Sequence, residues 1–204
     1  MSSLDPAAGQ IDLTTAVAGQ RSPLLFDNQL ALQTPVLREM LAVWEQKRGT
    51  RTMPCRSDFS IRDLVKVLPQ TGIVELRHEA RGTRLFIRLN GSALDHFFAP
   101  LTGQYIDESV SPYFVERWTT IFMAPVKARA PLRGVSRTEF RDQLYLVGET
   151  LLLPLSEDGE TPSGVLYAVF HYSSNEVNAR RAQVYAALVE EYECYCRDEV
   201  TSKA

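Results

Sequence analysis

Two extended runs, Thr71 to Glu79 and Thr83 to Asn90, stand only Ala80, Arg81 and Gly82 apart, and this pair constrains the fold more than any other feature of the chain. That spacing suits a β-hairpin. The second run alternates cleanly, sending Leu85, Ile87 and Leu89 to one side and Arg84 and Arg88 to the other, as a half-buried strand must. Three more extended runs follow later: Leu132 to Arg141, Leu144 to Leu155 and Gly164 to Tyr172. Between the hairpin and these runs lie Ser92 to Phe98, a turn or two of helix before Pro100, and the amphipathic stretch Pro112 to Lys127. That stretch puts Phe114, Val115, Trp118, Ile121 and Phe122 on one side. Two strands, a helical crossing and three strands predict an α+β fold, a five-stranded antiparallel sheet with helices on one face.

The flanks add helical extensions. Thr34 followed by Pro35 is a helix opening, with an N-cap candidate and proline at the first helical position. Val36, Leu37, Met40, Leu41 and Trp44 then recur at helical spacing up to Gly49, the expected stop. A shorter helix fits Ser60 to Val67, with Ser60 as cap, Asp63 in the capping-box region and Ile61, Leu64, Val65 and Leu68 as its packing face. A last helix, capped by Asn175, is expected over Glu176 to Val200. The division that follows is a mostly flexible segment 1–33 with one apolar patch at Leu24, Leu25 and Phe26, a domain over 34–172, and a C-terminal helix over 173–204.

With 204 residues the chain can bury one good core, whereas two independent domains would each be marginal. A formal charge of −3 argues against a protein that grips nucleic acid by neutralising phosphates. Neither a run of roughly 20 apolar residues nor a signal-peptide pattern occurs, so no membrane is expected and the cytoplasm is the expected compartment. Cys55, Cys194 and Cys196 cannot all pair within the chain, show no zinc-type spacing, and suit a reducing environment. On a helix Cys194 and Cys196 sit roughly 200° apart and point away from each other.

Local words carry a resemblance. Trp44 near a helix end, then Pro54, Arg56 and Asp58 in a loop, then Arg84 and Arg88 on a strand ending at Gly91, then the Leu101-Thr102-Gly103 turn, resemble a PAS-domain family of stand-alone proteobacterial sensory and regulatory proteins. It covers roughly Leu37 to Tyr172. One departure stands out, because the family usually has a glycine shortly before the Leu-Thr-Gly turn and this chain has Phe98, Ala99 and Pro100. The resemblance implies a domain that senses a small molecule, binds a regulatory protein partner or dimerises, with a ligand seated between the sheet and the crossing helices. It names no cofactor. No kinase, cyclase or DNA-binding segment accompanies it, so an output would be a protein contact.

The candidate ligand-binding residues are therefore polar or aromatic groups on inward faces. Ser136 and Thr138 share an alternating set with Leu132, Gly134 and Phe140, and either meet a ligand or bond the neighbouring strand. Glu149 shares a stripe with Tyr145, Val147, Leu151 and Leu153; it is exposed at the sheet's edge, salt-bridged, or a ligand-facing acid with a raised pKa. Trp118 lies on the apolar side of the crossing helix. His96 occupies the region from which some haem-binding PAS domains supply an imidazole, but beside Phe97 and Phe98 it also reads as a packed or surface residue. His78 and His171 add no second ligand at readable spacing, and haem is not expected.

Arg48, Arg51 and Arg56, with Lys47, form a basic group around the proline-arginine-aspartate loop, an anion site or dispersed surface charge. In the last helix Tyr185, Leu188, Tyr192 and Tyr195 recur at steps of three and four, a seam for a partner, for a second copy, or for the chain's own sheet. No GxSxG, HExxH, P-loop or dinucleotide glycine pattern occurs, so no enzyme is expected. A ligand-free scaffold and a small enzyme on a cone-like α+β fold remain the alternatives.

Overall fold

The computed structural model describes residues 23–202 apart from 81 and 141–143, and within its strands and last helix it leaves undescribed the side chains of 138–140, 144–145 and 198–202. The hairpin forms as its spacing requires: β2 (Thr71–Glu79) pairs antiparallel with β3 (Gly82–Asn90). The later runs become β4 (Leu132–Phe140), β5 (Leu144–Ser156) and β6 (Pro162–Ser173). A further strand, β1 (Leu24–Asp27), is built from the apolar patch of the N-terminal segment and pairs with β4. The sheet thus has six strands in the order β1-β4-β5-β6-β2-β3, every pair antiparallel, rather than the five expected. β1 is short and amphipathic, which is why alternation alone does not reveal it.

The crossing helices lie on one face, and the N- and C-terminal helical extensions cover the other. On one face α5 (Pro112–Ala128) crosses the sheet, with the short α3 (Ser92–Phe97) and α4 (Ile106–Ser109) beside it. Phe114 and Phe122 of α5 pack on Ile87, Leu132, Leu152 and Tyr167. On the other face α1 (Pro35–Arg48) lays Leu37, Met40 and Trp44 against Leu151, Leu153, Leu155 and Leu166. Alongside it α6 (Ala179–Ser202) sets Leu188 and Tyr192 on Leu25, Val135, Val147 and Tyr172. Strand alternation divides β5 between the two layers: Leu152 belongs to the first, Leu151 and Leu153 to the second. No helix among the described residues is long and apolar enough to cross a membrane.

Some local expectations shift by one step. The register of β2 and β3 slips between Ile73 and Val74, which pair with Leu89 and Ile87, so Arg88 is the extra residue. Leu89 therefore turns away from Leu85 and Ile87 and packs with the α1 layer. The short helix α2 (Ile61–Leu64) is a single turn closed by the Ser60–Asp63 capping box. Leu64 is buried and Leu68 packs against the same cluster, as expected, but because the chain bends after the helix Val67 is buried while Ile61 and Val65 are exposed. The cap of α6 is Asn178, whose Oδ1 accepts from the backbone N–H groups of Arg180 and Arg181, and not Asn175.

The words of the family resemblance have mechanical roles. The Thr102 hydroxyl oxygen accepts from the Asn90 backbone at 2.9 Å and the Gly103 N–H donates to the Ile87 carbonyl, fastening the turn to the edge of β3. Gly91 has an ordinary backbone conformation, but a Cβ there would sit 2.4 Å from the Pro69 carbonyl oxygen and 2.5 Å from that of Leu68. Only the absence of a side chain lets the two segments meet.

Candidate functional site

A cavity of about 90 Å3 lies between α5 and the sheet. Its apolar walls come from Ile87, Val169 and the aromatic rings of Phe98, Phe114, Trp118 and Phe122. Its polar atoms come from Asn90, Arg117, Ser136, Thr150, Tyr167 and His171. The floor follows from register: Ser136 of β4 pairs with Gly148 of β5, which pairs with His171 of β6. Gly148 keeps this row low, since a Cβ there would meet the His171 ring at 3.3 Å and the Ser136 Oγ at 3.8 Å.

These polar groups divide by partnership. The Tyr167 hydroxyl donates to Asn90 Oδ1 at 3.0 Å, and Asn90 Nδ2 donates to Asp95. Burial, helped by the charge of Asp95, raises the Tyr167 phenol well above its usual range. The hydroxyls of Ser136 and Thr150 and the ring nitrogens of His171 make no hydrogen bond among the described residues. His171 instead stacks on Phe97 with ring centroids 3.9 Å apart and meets Phe98 edge-on. Burial in that aromatic nest brings the imidazole down to about 4, so it is neutral at pH 7. Burial also lowers the Arg117 guanidinium, partly opposed by Tyr113 and Tyr192. No carboxylate is among the side chains that line the cavity.

On the opposite face Arg133 and Glu149 anchor a bonded network. Arg133 and Glu149 are both 0% exposed, joined by an Nε–Oε1 hydrogen bond of 2.6 Å. The guanidinium of Arg133 also reaches both carboxylate oxygens of Glu191 on α6, and Asp27 of β1 at 3.4 Å. Burial alone would lower Arg133, but the hydrogen bonds from Glu191 and Glu149 more than offset it and raise its pKa. The Glu149 carboxylate accepts from the backbone N–H groups of Gln33 and Thr34 at the start of α1, where negative charge suits the helix terminus. Thr34 sits at the N-cap position but does not cap through its side chain; its hydroxyl bonds the Tyr172 hydroxyl at 2.7 Å.

The sequence candidates accordingly separate. Ser136 and Trp118 line the cavity, and the Thr138 side chain lies outside the described residues. Glu149 does not face a ligand: its strand position is one step from Gly148 and Thr150, so it points to the other layer and is held by Arg133. His96 is exposed on α3, whereas His171 lines the cavity. The seam of Leu188 and Tyr192, with Tyr185 and Tyr195 beside it, packs on the chain's own sheet, one of the three occupants its spacing allows. Tyr192 and Tyr195 also donate to the carbonyls of Pro23 and Leu24.

In the basic group Arg51 is bound to Asp58 and to the Lys47 carbonyl, and Arg48 to Glu45, which fixes the loop instead of leaving these side chains open to an anion. Arg56 is exposed and lines two surface grooves of about 250 and 420 Å3 beside α2 and β2. Sequence reasoning missed Thr150, His171 and Arg117. The signal for His171 was its place at the end of the stripe Val165, Tyr167, Val169; that for Arg117 was its position three residues after Phe114 and four before Ile121, inside the apolar side of α5.

A family model described as a PAS domain matches residues 32–169. The chain belongs to the PAS domain family. The cavity between sheet and crossing helix is where such a domain's ligand is expected, and Phe98, in the stretch where this PAS domain departs from the usual glycine, forms part of its wall. Among solved structures, a chain described as an RNA-binding light-oxygen-voltage receptor is 14% identical with a TM-score of 0.34; the match covers 65% of this chain and 37% of that one. This PAS protein thus spans well under half of that receptor chain. No curated protein matches the sequence.

Proposed function

We propose that this PAS domain is a cytoplasmic sensory and regulatory protein in which the contents of the cavity under α5 bias how α1 and α6 sit on the opposite face, for a partner protein to read. One observation carries the reading: β5 presents Gly148 and Thr150 to the cavity, and between them presents Glu149 to the network that holds α1 and α6. A shift of β5 by an occupant changes the Arg133–Glu149–Glu191 geometry without any longer route. An occupant acts only through a difference in affinity for the two arrangements.

A cavity of about 90 Å3 holds several waters or a small molecule, and is well below the roughly 300–1,000 Å3 typical of drug-sized ligand sites. That size supports a second reading, a ligand-free scaffold or dimerisation module. The substitution Thr150→Leu separates the two, because it places side-chain atoms in the cavity as a stand-in for an occupant. Under the sensory reading, amide hydrogen exchange in α1 and α6 changes while the fold is retained. Unchanged exchange in both helices, with the cavity filled, supports the scaffold instead.

A further inference from the structure

We infer that the groove of about 250 Å3 beside α2 is a docking site for a short acidic segment of a partner protein, which seats bulky apolar side chains in the groove and sets Asp or Glu residues against Arg56 and Arg62. The inference stands apart from the contents of the cavity under α5. It names where a partner binds, and the sensory reading can fail without touching it.

The groove is apolar and already built. Its floor is the core itself, Leu64, Ile73, Leu155 and Leu166, each buried in the layer beneath α1, while Ile61 on its wall is 73% exposed. A lone exposed isoleucine is ordinary, but one that edges a groove floored by core side chains, with Val65 also 62% exposed, is a patch of the kind partners cover. The backbone is pinned on both sides of Arg56. Asp58 accepts from the Cys55 N–H at 2.8 Å and from Arg51 at 2.6 Å, and Asp63 accepts from the Ser60 N–H at 2.7 Å, so a partner has little ordering of this surface to offset. The charge beside the groove is one-sided. Nearby carboxylates are already engaged, Asp58 with Arg51, Asp63 with Lys47 and Glu39 with Lys66, whereas the exposed Arg56 and Arg62 side chains make no hydrogen bond or ion pair among the described residues. Arg56 lines the groove, and among the described residues no carboxylate does. Open guanidinium groups beside an apolar slot favour a segment whose acids flank its apolar side chains over a neutral or basic one. The volume falls below the roughly 300–1,000 Å3 of drug-sized ligand sites, which suits side chains of a chain laid across the groove better than a whole small molecule.

The test titrates the capped peptide Asp-Glu-Leu-Leu-Glu-Asp-Phe into the isotope-labelled full chain at about 0.15 M salt, followed by amide chemical shifts. Matched versions replace every acid by its amide, every acid by lysine, or every apolar residue by serine. The acidic peptide is expected to shift amides between Arg56 and Leu68 and to bind on the order of tenfold tighter than its amide version. Arg56→Glu combined with Arg62→Glu, at exposed side chains with no described partner to lose, should reverse the order in favour of the lysine version. Ile61→Ser should weaken every leucine-bearing version alike, with the fold unchanged in circular dichroism. Equal binding by the acidic, amide and lysine versions overturns the proposal, as do shifts that map away from α2 or a serine version that binds as tightly as the leucine one. Absence of binding overturns it too, and if the free chain then self-associates in a way that Ile61→Ser abolishes, the groove is an interface between copies of this chain. None of these outcomes bears on Thr150→Leu, which tests the sensory reading by itself.

Discussion

Two rows of polar side chains on opposite faces of this sheet, Ser136, Thr150 and His171 in front and Arg133, Glu149 and Tyr172 behind, are met very differently by their neighbours. Beneath α5 the hydroxyls of Ser136 and Thr150 and the ring nitrogens of His171 face a small space without hydrogen-bond partners among the described residues. Behind the sheet Arg133, Glu149, Glu191, Thr34 and Tyr172 are joined to one another and to two helices. Burying polar groups costs free energy unless they are bonded, so the rear row contributes to integrity through its bonds and the front row does not. A polar residue on an apolar stripe therefore points to function only when its neighbours leave it unmet.

The largest effect should come from breaking the rear network. Arg133→Met leaves Glu149 fully buried without its cation, and unfolding by urea should show a loss of about 3–5 kcal/mol. A loss under about 1 kcal/mol would mean that the rear charges are compensated by solvent, and the contrast between faces would collapse.

Next in size is the pH response of the front face. His171 is depressed to about 4 by burial, against an ordinary value of 6.5, so the unfolded chain takes up the proton first as pH falls. The contribution of the neutral imidazole is complete above about pH 6.5 and is lost progressively towards pH 4, with a ceiling of roughly 3 kcal/mol. His171→Phe should flatten that part of the stability curve while leaving carboxylate titrations in place. An unchanged slope in the variant would show that the ring already reaches water.

The smallest and sharpest contrast pairs two threonines. Thr34→Val removes the partner of the Tyr172 hydroxyl and should cost about 1–2 kcal/mol, whereas Thr150→Val should stay within about 0.5 kcal/mol because no bond is broken. Comparable losses at the two sites would mean that the Thr150 hydroxyl has a protein-like partner in the cavity, such as an ordered water.

Most of the fold was legible because its signals are local. Alternation found β2 to β6 within a few residues, and Thr34-Pro35 and Gly49 bracket α1. What stayed hidden depends on register. Alternation shows that Ser136 shares a face with Gly134 and that Glu149 shares one with Leu151, but not that the two sets look in opposite directions; the β4–β5 pairing decides that. The bulge at Arg88 likewise turns Leu89 with no cue in composition. Helices on both faces were unreadable because the apolar seam of α6 fits its own sheet as well as it fits a partner. The cavity itself was reached only in part: Ser136 and Trp118 stood on inward stripes, while Arg117 was masked by the habit of reading arginine as surface.

The strand β1 alters what counts as the unit. The family match runs from residue 32 to 169, yet two of the three carboxylates around Arg133 lie outside it, Asp27 before and Glu191 after. A protein trimmed to the matched span would keep the buried guanidinium and Glu149, uncover the edge of β4, and remove α6 from Val135 and Val147. The stretch by which evolution labels this domain is thus shorter than the stretch that physics needs to close it, and any excised fragment meant to stand alone has to begin ahead of Leu24 and carry the last helix with it.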